Sequence, residues 1–161
     1  MATENLVATK RTNISVMVSN QVKAMHGLNI AEWTVELATA ASDTSTYHIA
    51  HLPSNARISG ASRIAWDDQA STGAPVLEIG TFNVSGGSDD VDSMNTGLDI
   101  AAANPAAVNM ILEIANWGKY LWEIAGESSD PGGFIDIKLT LDDANINTGG
   151  TMSGQIFYMM E

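Results

Sequence analysis

Cysteine is absent from all 161 residues of the chain. Disulfides, a thiolate nucleophile and thiolate zinc ligands are therefore excluded. The length favours a single domain, because domains commonly hold about 100 to 150 residues. A domain of this size buries roughly 70% of the surface of its unfolded chain, so it can fold without covalent cross-links.

Basic residues are scarce: 7 Lys and Arg stand against 19 Asp and Glu, for a formal net charge of −12. Proteins that bind nucleic acid neutralise phosphates with clustered basic side chains, and Lys10-Arg11 is the only adjacent basic pair. We therefore expect no nucleic-acid partner. The negative charge favours solubility and discourages random self-association.

Long apolar runs are also missing, since nowhere do 18 apolar residues follow one another. A membrane-spanning helix needs about 20 such residues, so no membrane partner is expected. The start, Met1 to Asn5, lacks the basic residues and apolar stretch of a secretory signal. Synthesis in the cytoplasm is the resulting expectation.

The first 28 residues are interpreted as an N-terminal arm, and residues 29–161 as the folded domain. Within the arm only Ile14, Val16 and Val18 alternate with other residues, which predicts one short strand.

Alternation of apolar and polar residues recurs along the rest of the chain, and it is cleanest where Ile135, Ile137, Leu139 and Leu141 alternate with polar side chains. The other predicted strands are 33–37, 46–52, 56–66, 76–84, 120–125 and 153–160. About eight short strands predict a mainly β fold, an antiparallel β-sandwich with at most one or two short helices. A jelly roll is one member of that class.

One helix is predicted from Asn104 to Asn116. Asn104 can cap the first amides, Pro105 suits the first helical position, and apolar residues follow at helical spacing. A strand is the alternative, because Met110, Leu112 and Ile114 also alternate.

Candidate metal ligands occur at two places in the sequence. His48 and His51 lie three apart, and on a regular strand such residues point to opposite faces, so they could share one ion only if a bulge intervened. Ordinary surface or packing histidines are expected. The acids Asp89, Asp90, Asp92 and Asp99 lack the spacing of a calcium loop and are interpreted as a solvated acidic loop. No metal site is predicted.

Catalytic motifs are missing as well. The sequence has no Gly-x-Ser-x-Gly elbow and no phosphate-binding glycine loop. The acid pairs Asp67-Asp68 and Asp142-Asp143 fall at predicted strand ends, where Asp favours turns. The expectation is a protein that is not an enzyme, with no catalytic or cofactor-binding residues and no cofactor.

Large apolar side chains dominate protein contacts when they are exposed. The four tryptophans, Trp33, Trp66, Trp117 and Trp122, fall on apolar faces and are expected in the core. The predicted partner-binding residues are Met159 and Met160 at the C-terminus and, in the arm, Ile14, Val16 and Val18.

Three segments carry a resemblance to known proteins. They are Leu52-Pro53-Ser54-Asn55-Ala56-Arg57-Ile58, the stretch from Gly118 to Leu141 that includes Asp130-Pro131-Gly132-Gly133, and Gly149-Gly150-Thr151 before Ile156-Phe157-Tyr158. Together they resemble cement or decoration proteins of tailed-bacteriophage capsids over roughly residues 47–158.

The resemblance implies a β-sandwich that forms a dimer or trimer and binds the major capsid protein on the outer surface of the virion, after assembly in the host cytoplasm. It implies no active site. One alternative is a phage tail fibre or baseplate component, although no repeat is visible. Another is a carbohydrate-binding module or glycan-degrading enzyme, in which Trp66 and Trp122 would form a sugar platform.

Overall fold

The computed structural model describes residues 5–7, 27–67, 73–111 and 114–160. Ten strands lie within these ranges, together with a 3₁₀ turn at Ile114–Asn116 and a short helix, α1, at Leu121–Ile124. The strands are β1 Asn5–Val7, β2 Leu28–Leu37, β3 Thr46–Pro53, β4 Arg57–Ile58, β5 Arg63–Trp66, β6 Val76–Phe82, β7 Asp90–Asp99, β8 Asn104–Asn109, β9 Phe134–Asp142 and β10 Gly150–Met159.

The strands form two sheets. The first sheet has the order β1-β3-β9-β6-β7, and the second has the order β2-β10-β5-β8 with β4 also paired to β10. Neighbouring strands run antiparallel, except that β1 joins the edge of β3 in parallel. The mainly β fold and the antiparallel sandwich are thus confirmed.

The core lies between the sheets and follows from the two-residue period of the strands. In β9 the side chains of Ile135, Ile137, Leu139 and Leu141 are fully buried. In β2 of the opposite sheet Trp33 and Val35 alternate with exposed residues and are buried as well. Alternation is a strong signal here because each sheet has one face against the core and one in water.

The predicted helix from Asn104 to Asn116 is wrong. The first half of the segment is a strand, but Met110 and Ile114, from which the strand alternative was argued, lie beyond the end of that strand. Residues Asn104–Asn109 form β8, the edge strand of the second sheet, and a 3₁₀ turn follows. An edge strand tolerates Pro105 because one side of its backbone needs no ladder partner. Met110 and Ile111 are buried immediately after the strand, which explains their apolar character without a helix.

The reverse error occurs at residues 120–125, where a strand was predicted and α1 is found. Leu121 and Ile124 are three residues apart and both are buried, as helical geometry requires. The Tyr120 amide donates to the Glu123 carboxylate at 2.8 Å, which caps the first turn.

Two further boundaries differ from expectation. The acidic stretch interpreted as a loop is largely strand β7, in which Met94 and Leu98 point into the core. The single strand predicted over residues 56–66 is divided into β4 and β5 by a turn in which the Ser62 amide donates to the Ser59 carbonyl at 3.0 Å.

The N-terminal strand β1 was not predicted, and the predicted strand at Ile14, Val16 and Val18 lies outside the described residues. In the part of the chain that the structure describes, no helix has the length and apolar character needed to cross a membrane.

Candidate functional site

An apolar strip lies on the outer face of the second sheet, at one end of β2 and β10. Leu28 stands opposite Met159, and Ile30 stands opposite Phe157. Leu28, Ile30 and Met159 are 60%, 44% and 42% exposed, and Phe157 is half-buried. These four residues are called the apolar strip below.

The outward residues of β2 and β10 beyond the apolar strip are polar, and cross-strand hydrogen bonds join them. Gln155 donates to Glu32 at 2.9 Å, and Thr151 donates to Glu36 at 2.6 Å. The apolar strip is therefore confined to one end of the face. Exposed apolar cross-strand pairs with polar residues beside them are typical of surfaces that contact another protein.

Of the predicted partner-binding residues, Met159 lies in the apolar strip. Met160 is half-buried and packs against the core, so it is less available than expected. Ile14, Val16 and Val18 lie outside the described residues. Leu28, Ile30 and Phe157 were not predicted. The two-residue period that buries Trp33 and Val35, extended toward the N-terminus, places Leu28 and Ile30 on the outward side of β2.

The tryptophans divide into three groups. Trp33 and Trp66 are buried as expected, and the Trp66 indole donates to the Ala102 carbonyl at 2.8 Å. Trp122 is half-buried and stacks on Tyr120, with ring centroids 6.0 Å apart. Trp117 is 43% exposed, contrary to the expected core position. Because Trp66 is in the core, a sugar platform made of Trp66 and Trp122 does not form.

A second group of side chains meets on the outer face of the first sheet. His48 and His51 lie on β3, and Asp136 lies opposite His51 on the central strand β9. The pairing shifts register between His48 and Ala50, so Ile49 is an extra residue, and both Ile49 and Ala50 are buried. This bulge turns both histidines to the same face, contrary to the opposite faces expected of a regular strand.

Both histidines converge on one carboxylate oxygen, and we call His48, His51 and Asp136 the histidine cluster. His51 Nδ1 lies 2.6 Å and His48 Nε2 lies 2.9 Å from Asp136 Oδ1. The side-chain amide of Asn83 donates to Oδ2 of the same carboxylate. Phe134 stacks on the His51 ring with a centroid distance of 4.7 Å, which fixes the ring plane.

The Asp136 carboxyl is buried, and burial alone would raise its pKa. Hydrogen bonds from His48, His51 and Asn83 outweigh that effect, so the pKa of Asp136 lies well below its ordinary value. The carboxylate is therefore ionised at neutral pH and is available as an oxygen ligand.

Acidic side chains gather further along the outer face of the same sheet. Burial raises the pKa of Glu78, and the neighbouring charges of Asp142, Asp92, Asp143 and Asp90 raise it further. Repulsion of this kind contributes to the negative field of the molecule.

The two sheets and their antiparallel pairing place the molecule among the β-sandwich proteins. A solved structure with a similar fold is the capsid of Ralstonia phage GP4: one of its chains aligns with a TM-score of 0.61 at 13% sequence identity, covering 86% of this chain and 88% of that chain. At this identity the likeness shows a common fold. Neither the protein-family models nor the curated proteins gave a match.

Proposed function

We propose that this chain is a structural protein of a phage virion, and that it acts as a cement or decoration protein on the outside of the head. The observation that carries the proposal is the fold shared with a chain of a phage capsid over 86% of this chain. Near-complete coverage of both chains means that the likeness extends across the sandwich and is not limited to one hairpin.

The exposed apolar area of the apolar strip also supports the proposal. A cement protein must stay soluble alone and still gain free energy on the lattice. The net charge of −12 favours solubility, while Leu28, Ile30 and Met159 offer apolar area that a partner can bury. We assign the major capsid protein as the partner of this strip.

Self-association is a further part of the proposal, with a dimer or trimer as the soluble form. The N-terminal arm would add contacts on the lattice, with Ile14, Val16 and Val18 forming a strand beside a neighbouring subunit. Deleting residues 1–20 would also remove β1, which pairs with β3. A sharper arm variant therefore replaces only Ile14, Val16 and Val18 with Ser.

Cosedimentation with heads that lack the protein tests the proposal. The unchanged chain is expected to pellet with the heads, and Ile30→Glu is expected to stay in the supernatant because it introduces a charge into the buried contact. Glu32→Gln, two residues along the same outer face, is the matched control and should pellet normally. Failure of the unchanged chain to pellet would contradict attachment to heads, and an Ile30→Glu protein that pellets equally well would show that the apolar strip is not the surface that binds.

A further inference from the structure

The histidine cluster has the donor set of a transition-metal site, and no role in the proposed virion contacts requires it. Three donor atoms, one from each of His48, His51 and Asp136, lie within 4.8 Å of one another. Two imidazole nitrogens with one carboxylate oxygen form a ligand set that zinc accepts, with the fourth position left to water.

We propose that His48, His51 and Asp136 bind one Zn²⁺ ion on the outer face of the first sheet. The binding atoms are Nε2 of His48, Nδ1 of His51 and Oδ1 of Asp136. Phe134 stacks on the His51 ring, and Asn83 donates to the second carboxylate oxygen of Asp136, so two of the three ligands have a neighbour that fixes their orientation.

The distances are compatible with a small adjustment. Donor atoms around a tetrahedral zinc stand about 3.4 Å apart, because each metal–ligand bond is about 2.1 Å long. The present separations from Asp136 Oδ1 are 2.6 Å and 2.9 Å, so each histidine nitrogen must move away from that oxygen by less than about 1 Å. The two histidine nitrogens lie within 4.8 Å of each other, so they must approach by at most about 1.4 Å. The partly exposed His51 ring can slide within the plane that Phe134 fixes, which supplies part of this movement.

The histidine cluster is also open to solvent on the side of His51, so an ion can reach it. The side chain of His51 is 33% exposed, that of His48 is 12% exposed, and that of Asp136 is 8% exposed. The ion would therefore approach past His51 and meet the buried carboxylate last. Lys138, two residues from Asp136 on the same face of β9, has its ammonium group over the Phe82 ring, 4.6 Å from the ring centroid.

Both proposed ligand nitrogens face hydrogen-bond acceptors in the structure. His48 Nε2 lies 2.8 Å from the Ala50 carbonyl oxygen and 2.9 Å from Asp136 Oδ1, and His51 Nδ1 lies 2.6 Å from the same carboxylate oxygen. A metal ligand has to be an unprotonated nitrogen, so each imidazole must hold its proton on its other ring nitrogen when the ion is bound.

Isothermal titration calorimetry with zinc chloride tests the site on the full chain. One ion per chain is expected, with an accompanying rise in the melting temperature. His51→Ala should weaken binding by at least about tenfold, since even outer-shell changes weaken metal sites by 10- to 100-fold. Its partial exposure makes this variant the one most compatible with folding, which circular dichroism would verify.

Two further variants make the result decisive. Glu32→Gln removes a carboxylate from the other sheet and should leave zinc binding unchanged. The double variant His48→Ala/His51→Ala retains His26 and should show no binding of comparable affinity. Absence of zinc binding by the unchanged chain, or binding that survives the double variant, would overturn the proposal. Neither result depends on attachment to heads, so the zinc site and the virion role can fail separately.

Discussion

At the scale of single residues, Asp136 is the most unusual group of the described chain. It is a buried acid on the central strand β9, and it accepts hydrogen bonds from His48, His51 and Asn83. Breaking such a network by removing one partner leaves other polar groups unpaired in a poorly hydrated place.

The lowered pKa of Asp136 predicts the acid dependence of stability. An acid whose folded pKa lies below its unfolded value of about 3.9 contributes stability that is complete above that value and is lost as the pH falls through the folded pKa. The free energy of unfolding should therefore decline below about pH 4, and Asp136→Asn should show a shallower decline.

Urea unfolding in the absence of metal, from neutral pH down to about pH 2, measures this dependence. Asp99→Asn, which changes an exposed acid, is the control and should follow the unchanged chain. Identical slopes for Asp136→Asn and the unchanged chain would show that the carboxylate is not stabilised by its neighbours.

The histidine cluster could not be predicted from the sequence, although the sequence showed that His48 and His51 could meet only if a bulge lay between them. His48 and His51 share a face only because Ile49 is inserted as a bulge, and a bulge leaves no mark in the alternation of a run such as Tyr47 to Leu52. Asp136 comes from a strand 85 positions beyond His51, and one sequence gives no strand order. Terminal position predicted exposure for Met159 and Met160 alike, but only Met159 is exposed, because it occupies an outward position at the end of β10 whereas Met160 packs against the core.

At the scale of elements, prediction succeeded where apolar residues on one face of a strand alternate with polar residues on the other face. Alternation identified β9 over Ile135 to Leu141 and the second half of β2, residues 33–37. The first half of β2 was missed because its outward positions carry the apolar residues Leu28 and Ile30. Prediction failed for short apolar runs, which fit the helix period and the strand period equally well. The sequence of β8 predicts a helix, and that of α1 predicts a strand. The strand β7 was missed because its outward positions carry acids and a glycine.

The packing of the second sheet predicts a specific effect at Gly154. A Cβ atom built there would lie 2.4 Å from the Trp33 ring and 2.7 Å from the Arg63 carbonyl oxygen. Because one of these atoms belongs to the backbone, the clash is not relieved by a side-chain rotation. Gly154→Ala should lower the free energy of unfolding by about 1–3 kcal/mol, the usual range for overpacking.

Chemical denaturation measures this effect, with Ser153→Ala as the control. Ser153 is exposed on the outer face of the same strand, and its replacement should change stability by less than about 0.5 kcal/mol. A Gly154→Ala protein as stable as the unchanged chain would mean that Trp33 does not lie against β10 as described.

At the scale of the whole molecule, two opposite outer faces have different characters. The second sheet has the apolar strip, whereas the first has the histidine cluster and the acids around Glu78. A protein attached to a shell through one sheet would leave the other sheet toward solvent. We expect the apolar strip to face the partner.

Self-association provides a test at this scale. If the apolar strip binds only the major capsid protein, Ile30→Glu should leave the dimer or trimer intact and abolish attachment to heads. Sedimentation equilibrium measures the soluble mass directly. If the unchanged chain remains monomeric at micromolar concentration, the proposed oligomer is contradicted. If the unchanged chain is an oligomer and Ile30→Glu is a monomer, the apolar strip is a self-association surface.

The central claim, that this chain is a structural part of a virion, is tested most directly by the composition of purified particles. Quantitative mass spectrometry of phage particles purified from cultures that produce the chain should find it at a constant ratio to the major capsid protein in independent preparations. Absence from the particles, together with abundance in the soluble fraction of the same lysates, would contradict the claim.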